Sequence, residues 1–468
     1  MGTTVIKRTA VTPTLATKCT FSFWTKRSLL GTSQCFAGND PEGASGYVQF
    51  RWFHTQENAL RLEATSGDGS GAIDYKTFPR FWDASSWYHV VIACDASQVT
   101  QADRFKVYMN GIEITGWASQ TTSWATDDYL SWQIAGRTQY IGTYSGSDDL
   151  YDGYFAQYAF CDGQAYGPTD FGSFENGTWK PKTSLSVTYG DNGFLLNFAD
   201  GALLTDSSGN GNNFSLHSGT QLYSRDKPDN SFPTISRFLG KQSTNYYSPT
   251  TTNLKYGNLS STSATNDKSI AATMSLHKGK WYWETKLYGN DNTRNLGIVR
   301  ADMIGLNTYF YNGSNTSNGT PTTMNYNPRT SYGYVITTDK DDTGTESASM
   351  LSTDSDCIIG HYLDMDNGKM AWSLDGTLIN SGSSFPLPNW SDDPNLWTLF
   401  GAFPSGRFDH NQVANYNFGL GYFGTTAVSS SVADAGGEGS FEYNPTATID
   451  SSSQDFRAIC TKNIKTYG

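Results

Sequence analysis

The chain has 468 residues and a formal net charge of −12, with 44 acidic and 32 basic side chains. It contains no basic run, and binding to a nucleic-acid backbone depends on Lys and Arg neutralising phosphates. Nucleic acid and anionic membranes are therefore excluded as main partners. No stretch approaches the ~20 apolar residues of a membrane span, so we expect no membrane insertion.

Strand patterns fill the first part of the chain. Residues 19–28 alternate apolar and polar side chains, and residues 87–95 form a mostly apolar run typical of an inner strand. Residues 104–117 hold two alternating runs joined by Asn110-Gly111. Asn-Gly predicts a hairpin because a type I′ turn needs positive φ at both positions.

The second part repeats this device, and helical periodicity is nearly absent throughout. Residues 357–379 contain the turn signals Asn367-Gly368 and Asp375-Gly376 between strand-like runs. Residues 206–219 and 223–234 are rich in turn-forming side chains and separate the two parts. We therefore predict an all-β protein of two tandem antiparallel β-sandwiches with a turn-rich linker.

These patterns predict four regions along the chain. The closing region is expected to dock through Phe441, Tyr443 and Phe456. The predicted regions are a sandwich at 1–185, a linker at 186–249, a second sandwich at 250–425 and a closing segment at 426–468.

The six cysteines form no C-x-x-C pair. Cys94 and Cys161 lie in apolar strand-like contexts, where a free Cys behaves as a small core residue. We expect six reduced thiols, and the alternative is a disulfide such as Cys19–Cys35. The N-terminal residues lack the apolar segment of a secretory signal peptide, so we expect synthesis in the cytoplasm without export.

A search for catalytic groups finds no constellation. Glycosidases of the sandwich class need two carboxylates ~5–9 Å apart, but Glu63, Glu113 and Glu284 each stand alone on their predicted strands. None of the six histidines has metal-ligand spacing, and no phosphate-binding loop or serine nucleophile motif occurs. The sequence therefore predicts a binding or structural protein rather than an enzyme.

The first block resembles the laminin-G-like, concanavalin A-like family. Five segments follow the family's order of strands: FSFWTKRS (21–28), SSWYHVVIACD (85–95), FKVYMNGIEI (105–114), QYIGTYSG (139–146) and YFAQYAFCDGQA (154–165). The resemblance covers roughly residues 1–185 and implies a concanavalin A-like jelly roll.

The second block resembles the SPRY family. The similar segments are KGKWYWETKL (278–287), RNLGIVR (294–300), IIGHYLDMDNGKMAWSLDGTLI (358–379) and VANYNFG (413–419). The resemblance covers roughly residues 250–425 and implies a second sandwich of related topology.

The combination resembles virion proteins of phages, often marine ones, of the structural and tail-fibre kind. It rests on DSSGNGNNF (206–214), DKPDNSFPTIS (226–236) and FRAICTKNI (456–464), placed around the two blocks. A virion protein leaves the cell by lysis, which agrees with the missing export signal. The resemblance implies localisation in the virion and contacts with other virion proteins.

The laminin-G-like resemblance also implies a candidate calcium site at the rim of the sandwich. Asp148, Asp149 and Asp152 cluster in one turn, and carboxylate oxygens suit Ca²⁺. The alternative is a solvated acidic turn. Calcium is thus the one cofactor to consider, and no other cofactor is expected.

Aromatic side chains in predicted loops are candidate glycan contacts, because sugar rings stack their C–H faces on Trp and Tyr. The alternative is that these rings belong to the core or to a subunit contact. The candidates are Trp117, Trp124, Asp127, Asp128, Tyr129 and Trp132 in one loop region, and Tyr309, Phe310 and Tyr311 in another.

Two functional hypotheses follow from the resemblance. The first is a tail fibre or receptor-binding protein that recognises a host surface glycan or receptor through sandwich loops. The second is a head or tail decoration protein whose sandwiches mainly bind other virion subunits. Edge strands need covering, so we expect homo-oligomerisation in either role.

Overall fold

The computed structural model describes ten stretches of the chain, which form two compact units at 1–223 and 224–468. No helix within these stretches has both the length and the apolar character needed to cross a membrane. The described residues are 4–39, 46–53, 58–236, 254–262, 268–288, 294–300, 333–338, 356–387, 398–408 and 413–468.

The first unit is built from sixteen described strands. They are β1 (Val5–Thr9), β2 (Lys18–Arg27), β3 (Gln34–Asn39), β4 (Val48–Phe53), β5 (Ala59–Thr65), β6 (Ala72–Thr77), β7 (Tyr88–Asp95), β8 (Phe105–Met109), β9 (Ile112–Glu113), β10 (Trp117–Thr122), β11 (Thr138–Ile141), β12 (Gly153–Asp162), β13 (Gly172–Glu175), β14 (Thr178–Pro181), β15 (Phe194–Leu196) and β16 (Ser215–Ser218). Short 3₁₀ helices lie at Gln101–Asp103, Ser131–Gln133 and Pro168–Asp170.

Two sheets of this unit enclose one core. Among the described strands, one sheet has eight in the order β10-β6-β5-β4-β3-β11-β1-β16, and the other has six in the order β15-β12-β2-β7-β8-β9. In β4, Phe50 and Trp52 are buried between the sheets, whereas Gln49 and Arg51 are partly exposed on the opposite face. This alternation of burial sets which side chains the eight-stranded sheet presents outward.

The outer face of the six-stranded sheet is covered by residues 163–189. Phe171, Leu185 and Val187 pack over Val91, which points away from the central core. The β13–β14 hairpin adds Trp179, which packs with side chains of β2 and β7. The six-stranded sheet is therefore covered on both faces.

The second unit contains twenty described strands and a C-terminal helix. They are β17 (Ile235–Ser236), β18 (Leu254–Lys255), β19 (Ser260–Thr262), β20 (Lys268–Ala272), β21 (Lys280–Tyr288), β22 (Arg294–Arg300), β23 (Gly333–Thr338), β24 (Cys357–Asp364), β25 (Lys369–Leu374), β26 (Thr377–Leu378), β27 (Phe385–Pro386), β28 (Ala402–Phe408), β29 (Val413–Asn417), β30 (Tyr422–Phe423), β31 (Thr426–Ala427), β32 (Val432–Ala433), β33 (Ser440–Phe441), β34 (Thr446–Ile449), β35 (Ser452–Asp455), β36 (Arg457–Ala458) and α1 (Thr461–Tyr467). A 3₁₀ helix lies at Ile379–Gly382.

The second unit is also a sandwich whose larger sheet is covered on its outer face. Its described strands form one sheet in the order β17-β20-β28-β22-β23 and another whose main path is β18-β19-β29-β21-β24-β25-β26. Phe441 contacts the ring of Tyr282 at 4.8 Å between centroids, and Phe456 contacts Tyr362 at 5.2 Å. Residues 426–460 thus cover the outer face of a sheet in the second unit, as residues 163–189 do in the first.

The predicted all-β class with antiparallel sandwiches is confirmed. Two of the three predicted turns have positive φ at both positions, whereas at Asn367-Gly368 only the glycine does, with φ of 62°. Asn110 and Gly111 have φ of 49° and 82°, and Asp375 and Gly376 have φ of 46° and 81°. In these two turns, Oδ1 of Asn110 accepts the His89 N–H and Oδ1 of Asp375 accepts the Ile358 N–H, both at 2.8 Å.

The boundary between the two units, after residue 223, falls inside the predicted linker at 186–249. Residues 186–223 were assigned to the linker, yet they complete the first unit: β15 pairs with β12, and β16 pairs with β1. Asp206 explains the turn-rich composition here, because its carboxylate accepts N–H groups of Leu195, Ser208 and Asn212 at 2.8–2.9 Å. The segment does form turns, but turns between short edge strands have the same composition as a linker.

Among the described residues, each unit contains one fully buried histidine that accepts a hydrogen bond from a tryptophan. The Trp179 indole N–H donates to Nδ1 of His89 at 3.0 Å, and that of Trp372 donates to Nδ1 of His361 at 3.1 Å. An indole N–H can only donate, so Nδ1 must be unprotonated and the proton lies on Nε2. Nε2 of His89 faces the Ser22 hydroxyl at 2.9 Å.

Burial lowers the pKa of both histidines from 6.5 to about 3, which predicts acid sensitivity. Because the folded pKa is depressed, each neutral histidine contributes to the free energy of unfolding. This contribution is fully present above pH 6.5 and is lost as pH falls towards 3. Each histidine should cost about 1.4 kcal/mol per pH unit in that window. His89→Gln should flatten the slope of first-unit stability between pH 6 and about pH 4, measured by urea unfolding. An unchanged slope would contradict the assignment.

Candidate ligand-binding face of the first unit

Two of the predicted aromatic contacts belong to the core. Trp124 and Trp132 are both 0% exposed. Trp124 packs edge-on against Phe105 with centroids 5.1 Å apart, and Trp132 packs against Phe21 at 5.2 Å. The prediction that these rings contact a glycan is therefore wrong for this structure, and the core alternative holds because neither ring has a face open to a ligand.

The other residues of that loop region are dispersed. Trp117 is half-buried against Tyr75, with ring centroids 5.1 Å apart. Asp128 is 3% exposed and accepts the Ala125 N–H at 2.5 Å, so it fixes the loop rather than facing a ligand. Asp127 is exposed and Tyr129 is half-buried. The second predicted group, Tyr309, Phe310 and Tyr311, lies outside the described residues.

The three aspartates of the candidate calcium site have separate protein partners. Asp148 accepts the Ser145 hydroxyl at 2.6 Å, and Asp149 accepts the Arg51 guanidinium at 2.5 Å. Burial raises the pKa of Asp152. No group of three or more His, Cys, Asp or Glu side chains that could hold a metal forms among the described residues. Beside Asp149, the guanidinium of Arg51 thus occupies the position that a bound cation would take.

The outer face of the eight-stranded sheet carries a continuous ionic network instead. Glu63 on β5 lies directly opposite Asp74 on β6, and Arg61 joins them, with N–O distances of 3.0 Å to Glu63 and 2.8 Å to Asp74. Arg51 on β4 contacts Glu63 on one side and Asp149 on the other. The side chains of Arg51, Glu63 and Arg61 are only 13–21% exposed, so the network is largely sheltered from water.

The network shifts the pKa values of Arg61 and Asp74. The hydrogen bond with Asp74 raises the pKa of Arg61, and the same bond lowers the pKa of Asp74. Sequence reasoning treated Glu63 as a solitary carboxylate, because its partner Asp74 is on the next strand. The cross-strand register, which pairs residue 63 with residue 74, was the missing information.

Aromatic rings flank this network. The guanidinium of Arg61 lies 4.6 Å from the centroid of the Phe53 ring, and that of Arg51 lies 5.1 Å from it. Tyr47 and Tyr144 meet edge-on at 6.1 Å on the same side of the sheet as Asp149. Rings beside fixed donors and acceptors form a surface suited to hydroxyl-rich ligands.

A polar cavity of about 430 Å³ lies near the other end of the same sheet. That volume is in the ~300–1,000 Å³ range of small-molecule sites. Backbone and side-chain hydrogen-bonding groups dominate its wall. The lining residues are Lys7, Arg8, Thr9, Val11, Thr138, Gly211, Asn212, Asn213, Phe214 and Ser215.

Arg8 is the buried cation of this cavity. It is 6% exposed and donates to the Asn212 side-chain oxygen and the Asn192 carbonyl, both at 2.8 Å. Burial lowers its pKa to about 10, and the nearby Asp206 opposes that effect. Arg8 therefore stays charged at neutral pH, with fixed partners. Lys7 and Thr9, on the opposite side of β1, are more exposed and line the rim.

Comparison with known families supports the sandwich of the first unit. The profile of the family Laminin_G_3, described as the concanavalin A-like lectin/glucanases superfamily, matches residues 2–165. The predicted laminin-G-like, concanavalin A-like domain is confirmed there. No curated protein matches the chain.

Solved structures give wider but weaker similarities. Domain 4 of an extracellular arabinanase from Geobacillus stearothermophilus, in complex with arabinotriose, is 18% identical over 32% of this chain and 64% of its own, with a TM-score of 0.24. This chain thus spans less than two thirds of that domain. Mouse laminin α1 domains LG4-5 are 8% identical over 98% of this chain and 86% of theirs (TM-score 0.28), and the SPRY domain of human HERC1 is 11% identical over 34% and 87% (TM-score 0.21). TM-scores this low add nothing about function.

Proposed function

We propose that the chain is a virion structural protein of the tail-fibre or receptor-binding kind, and that its first unit binds a host surface glycan. The observation that carries the binding proposal is the polar cavity at the β1 end of the eight-stranded sheet. Within the described residues of the first unit, the covering segment at 163–189 packs on the six-stranded sheet and not on the eight-stranded one. We therefore propose the site on this face of the sandwich, rather than on the aromatic loop at 116–132.

The cavity wall has the chemistry that sugar recognition needs. Asn213 and Ser215 are exposed at its rim, and Thr138 provides a further hydroxyl. Sugars offer many hydroxyls, each of which can donate and accept, so neighbouring amide, hydroxyl and ammonium groups can bind them cooperatively. A single site of this kind binds weakly, and many copies on a particle would raise the avidity.

The virion assignment rests on the resemblance of residues 206–214, 226–236 and 456–464 to phage virion proteins. It implies other virion proteins as partners and assembly into a homo-oligomer. We propose no catalytic role, because Glu63 and Asp74 are both committed to arginines. The lowered pKa of Asp74 is opposite to what a general acid requires.

Lys7→Ala tests the cavity directly. Lys7 is half-exposed at the rim, so its loss should leave folding unchanged while removing one charged hydrogen bond. We expect about tenfold weaker binding on a glycan array and in titration with the best array ligand. Binding should persist in EDTA, because the acidic turn at 148–152 already has protein partners.

Lys182→Ala is the matched control, since Lys182 is exposed on the segment that covers the other sheet. Equal losses in both variants, or binding unaffected by Lys7→Ala, would contradict the cavity as the site.

Immunogold labelling of the parent particle tests the virion role. Label on fibres or at the tail tip would support receptor binding. Label spread over the head would favour the decoration alternative, in which the sandwich faces bind other subunits. Purified particles without label would overturn both virion roles.

A further inference from the structure

Two thiols of the first unit face each other across neighbouring strands. Cys19 on β2 and Cys94 on β7 are directly paired in the antiparallel register. They are 1% and 2% exposed, and both belong to the central core of the first unit. The other thiols have different surroundings: Cys35 contacts the Ala37 and Phe50 carbonyls, and Cys161 packs on the opposite face of the six-stranded sheet.

The backbone geometry at this pair suits a disulfide. The Ala96 N–H donates to the Thr17 carbonyl at 3.0 Å, and residues 17 and 96 lie two positions from the cysteines along each strand. Cys19 and Cys94 therefore belong to the same hydrogen-bonded class of pairs, with Cα atoms ~5.5 Å apart. Disulfides span Cα distances of ~4.4–6.8 Å, so the Cα spacing is within range, and closure draws the two Cβ atoms together from ~5.5 Å to ~4.5 Å or less.

We propose that Cys19 and Cys94 form a latent cross-strand disulfide, which closes when the protein meets a small-molecule disulfide oxidant such as oxidised glutathione. One protein thiolate attacks a glutathione disulfide sulfur, forms a mixed disulfide and releases one glutathione thiolate. The second protein thiolate then attacks the protein sulfur of that mixed disulfide and releases the other. Two protein thiols lose their protons, and one oxidised glutathione becomes two reduced molecules.

Burial explains why the pair stays reduced until the core opens. It raises the pKa of the Cys19 thiol, which keeps the reactive thiolate scarce in the closed sandwich. The bond would join the two central strands of the six-stranded sheet and close a long loop of chain. A bond of this kind constrains the unfolded chain more than the folded one.

The experiment treats the full chain with oxidised glutathione in sub-denaturing urea, so that access to the core does not limit the reaction. We expect peptide mass spectrometry to find Cys19 and Cys94 linked, with the loss of two hydrogens. We also expect the melting temperature of the first unit to rise by on the order of 10 °C, reversed by dithiothreitol.

Matched variants make the outcome decisive. Cys161→Ala should keep both the link and the shift, whereas Cys19→Ala should abolish both. Separate glutathione adducts on Cys19 and Cys94, a link to a different cysteine, or two thiols that remain free while core amides exchange would each overturn the proposal.

Discussion

Trp132→Ala is expected to lower the free energy of unfolding of the first unit by about 4 kcal/mol, because removing a buried Trp leaves a large cavity. The ring is 0% exposed and packs between Phe21 and Phe160, with centroids 5.2 and 6.1 Å away. Hydrogen exchange of amides in β2 and β12, followed by mass spectrometry, measures this loss in the first unit alone. Exchange in the second unit should not change.

Trp82→Ala is the control for this variant. Trp82 is 50% exposed, so its truncation should change stability by no more than about 0.5 kcal/mol. A Trp132→Ala protein that kept its stability but lost glycan binding would restore the ligand role that the sequence suggested.

Glu284→Gln is expected to destabilise the second unit by about 3 kcal/mol. The Glu284 carboxylate is 0% exposed and accepts four hydrogen bonds, so an amide would turn its NH₂ towards donors. The donors are the backbone N–H groups of Glu442 and Tyr443 at 3.0 and 2.8 Å, and the Asn417 amide and Tyr282 hydroxyl, both at 3.1 Å. Hydrogen exchange should rise in β33 and in the residues that follow it.

The same variant should change the pH dependence of the second unit. Burial raises the pKa of Glu284 from 4.5 to about 7 against the effect of its donors. Because the folded pKa is raised, protonated Glu284 contributes to the free energy of unfolding of the second unit. This contribution is fully present below pH 4.5 and is lost as pH rises through 7, by about 3 kcal/mol in total. The stability difference between wild type and Glu284→Gln should therefore be larger at about pH 5 than at about pH 8.

His361 titrates in the opposite direction, but it is present in both proteins and cancels in the difference. Glu175→Gln is a further control, since Glu175 is exposed in the first unit and should leave the second unit unchanged. A difference that is equal at both pH values would show that Glu284 is ionised throughout.

Local patterns predicted much of the fold. The run at 19–28 became β2, the run at 87–95 became β7, and the turns at Asn110-Gly111 and Asp375-Gly376 have the positive φ values that their sequences predict. Phe441 and Phe456 dock as expected, because large apolar side chains in a polar segment have few other places to go. These features depend on neighbouring residues, so a single sequence contains the necessary information.

The site depended on information that a single sequence lacks. Trp124 and Trp132 lie among Ser, Thr and Asp and look like exposed loop residues, yet their loop folds back over the core. Arg51 contacts Asp149, and Glu63 joins Arg51 to Arg61, only once three separate segments are in register. Pairing between residues far apart in sequence determines both the burial of these rings and the ion pairs. The local alternation of apolar and polar residues does not contain that information.

The parallel pairing of Arg457–Ala458 with Trp281–Tyr282 has a consequence for biosynthesis. A ribosome must add well over a hundred residues after Tyr282 before its covering partners, Phe441 and Phe456, emerge. During that interval the nascent second unit exposes an aromatic sheet face and binds itself or other chains readily. We expect a chain cut after residue 425 to remain in that state, so translation must pass well beyond residue 425 before this sheet face is covered.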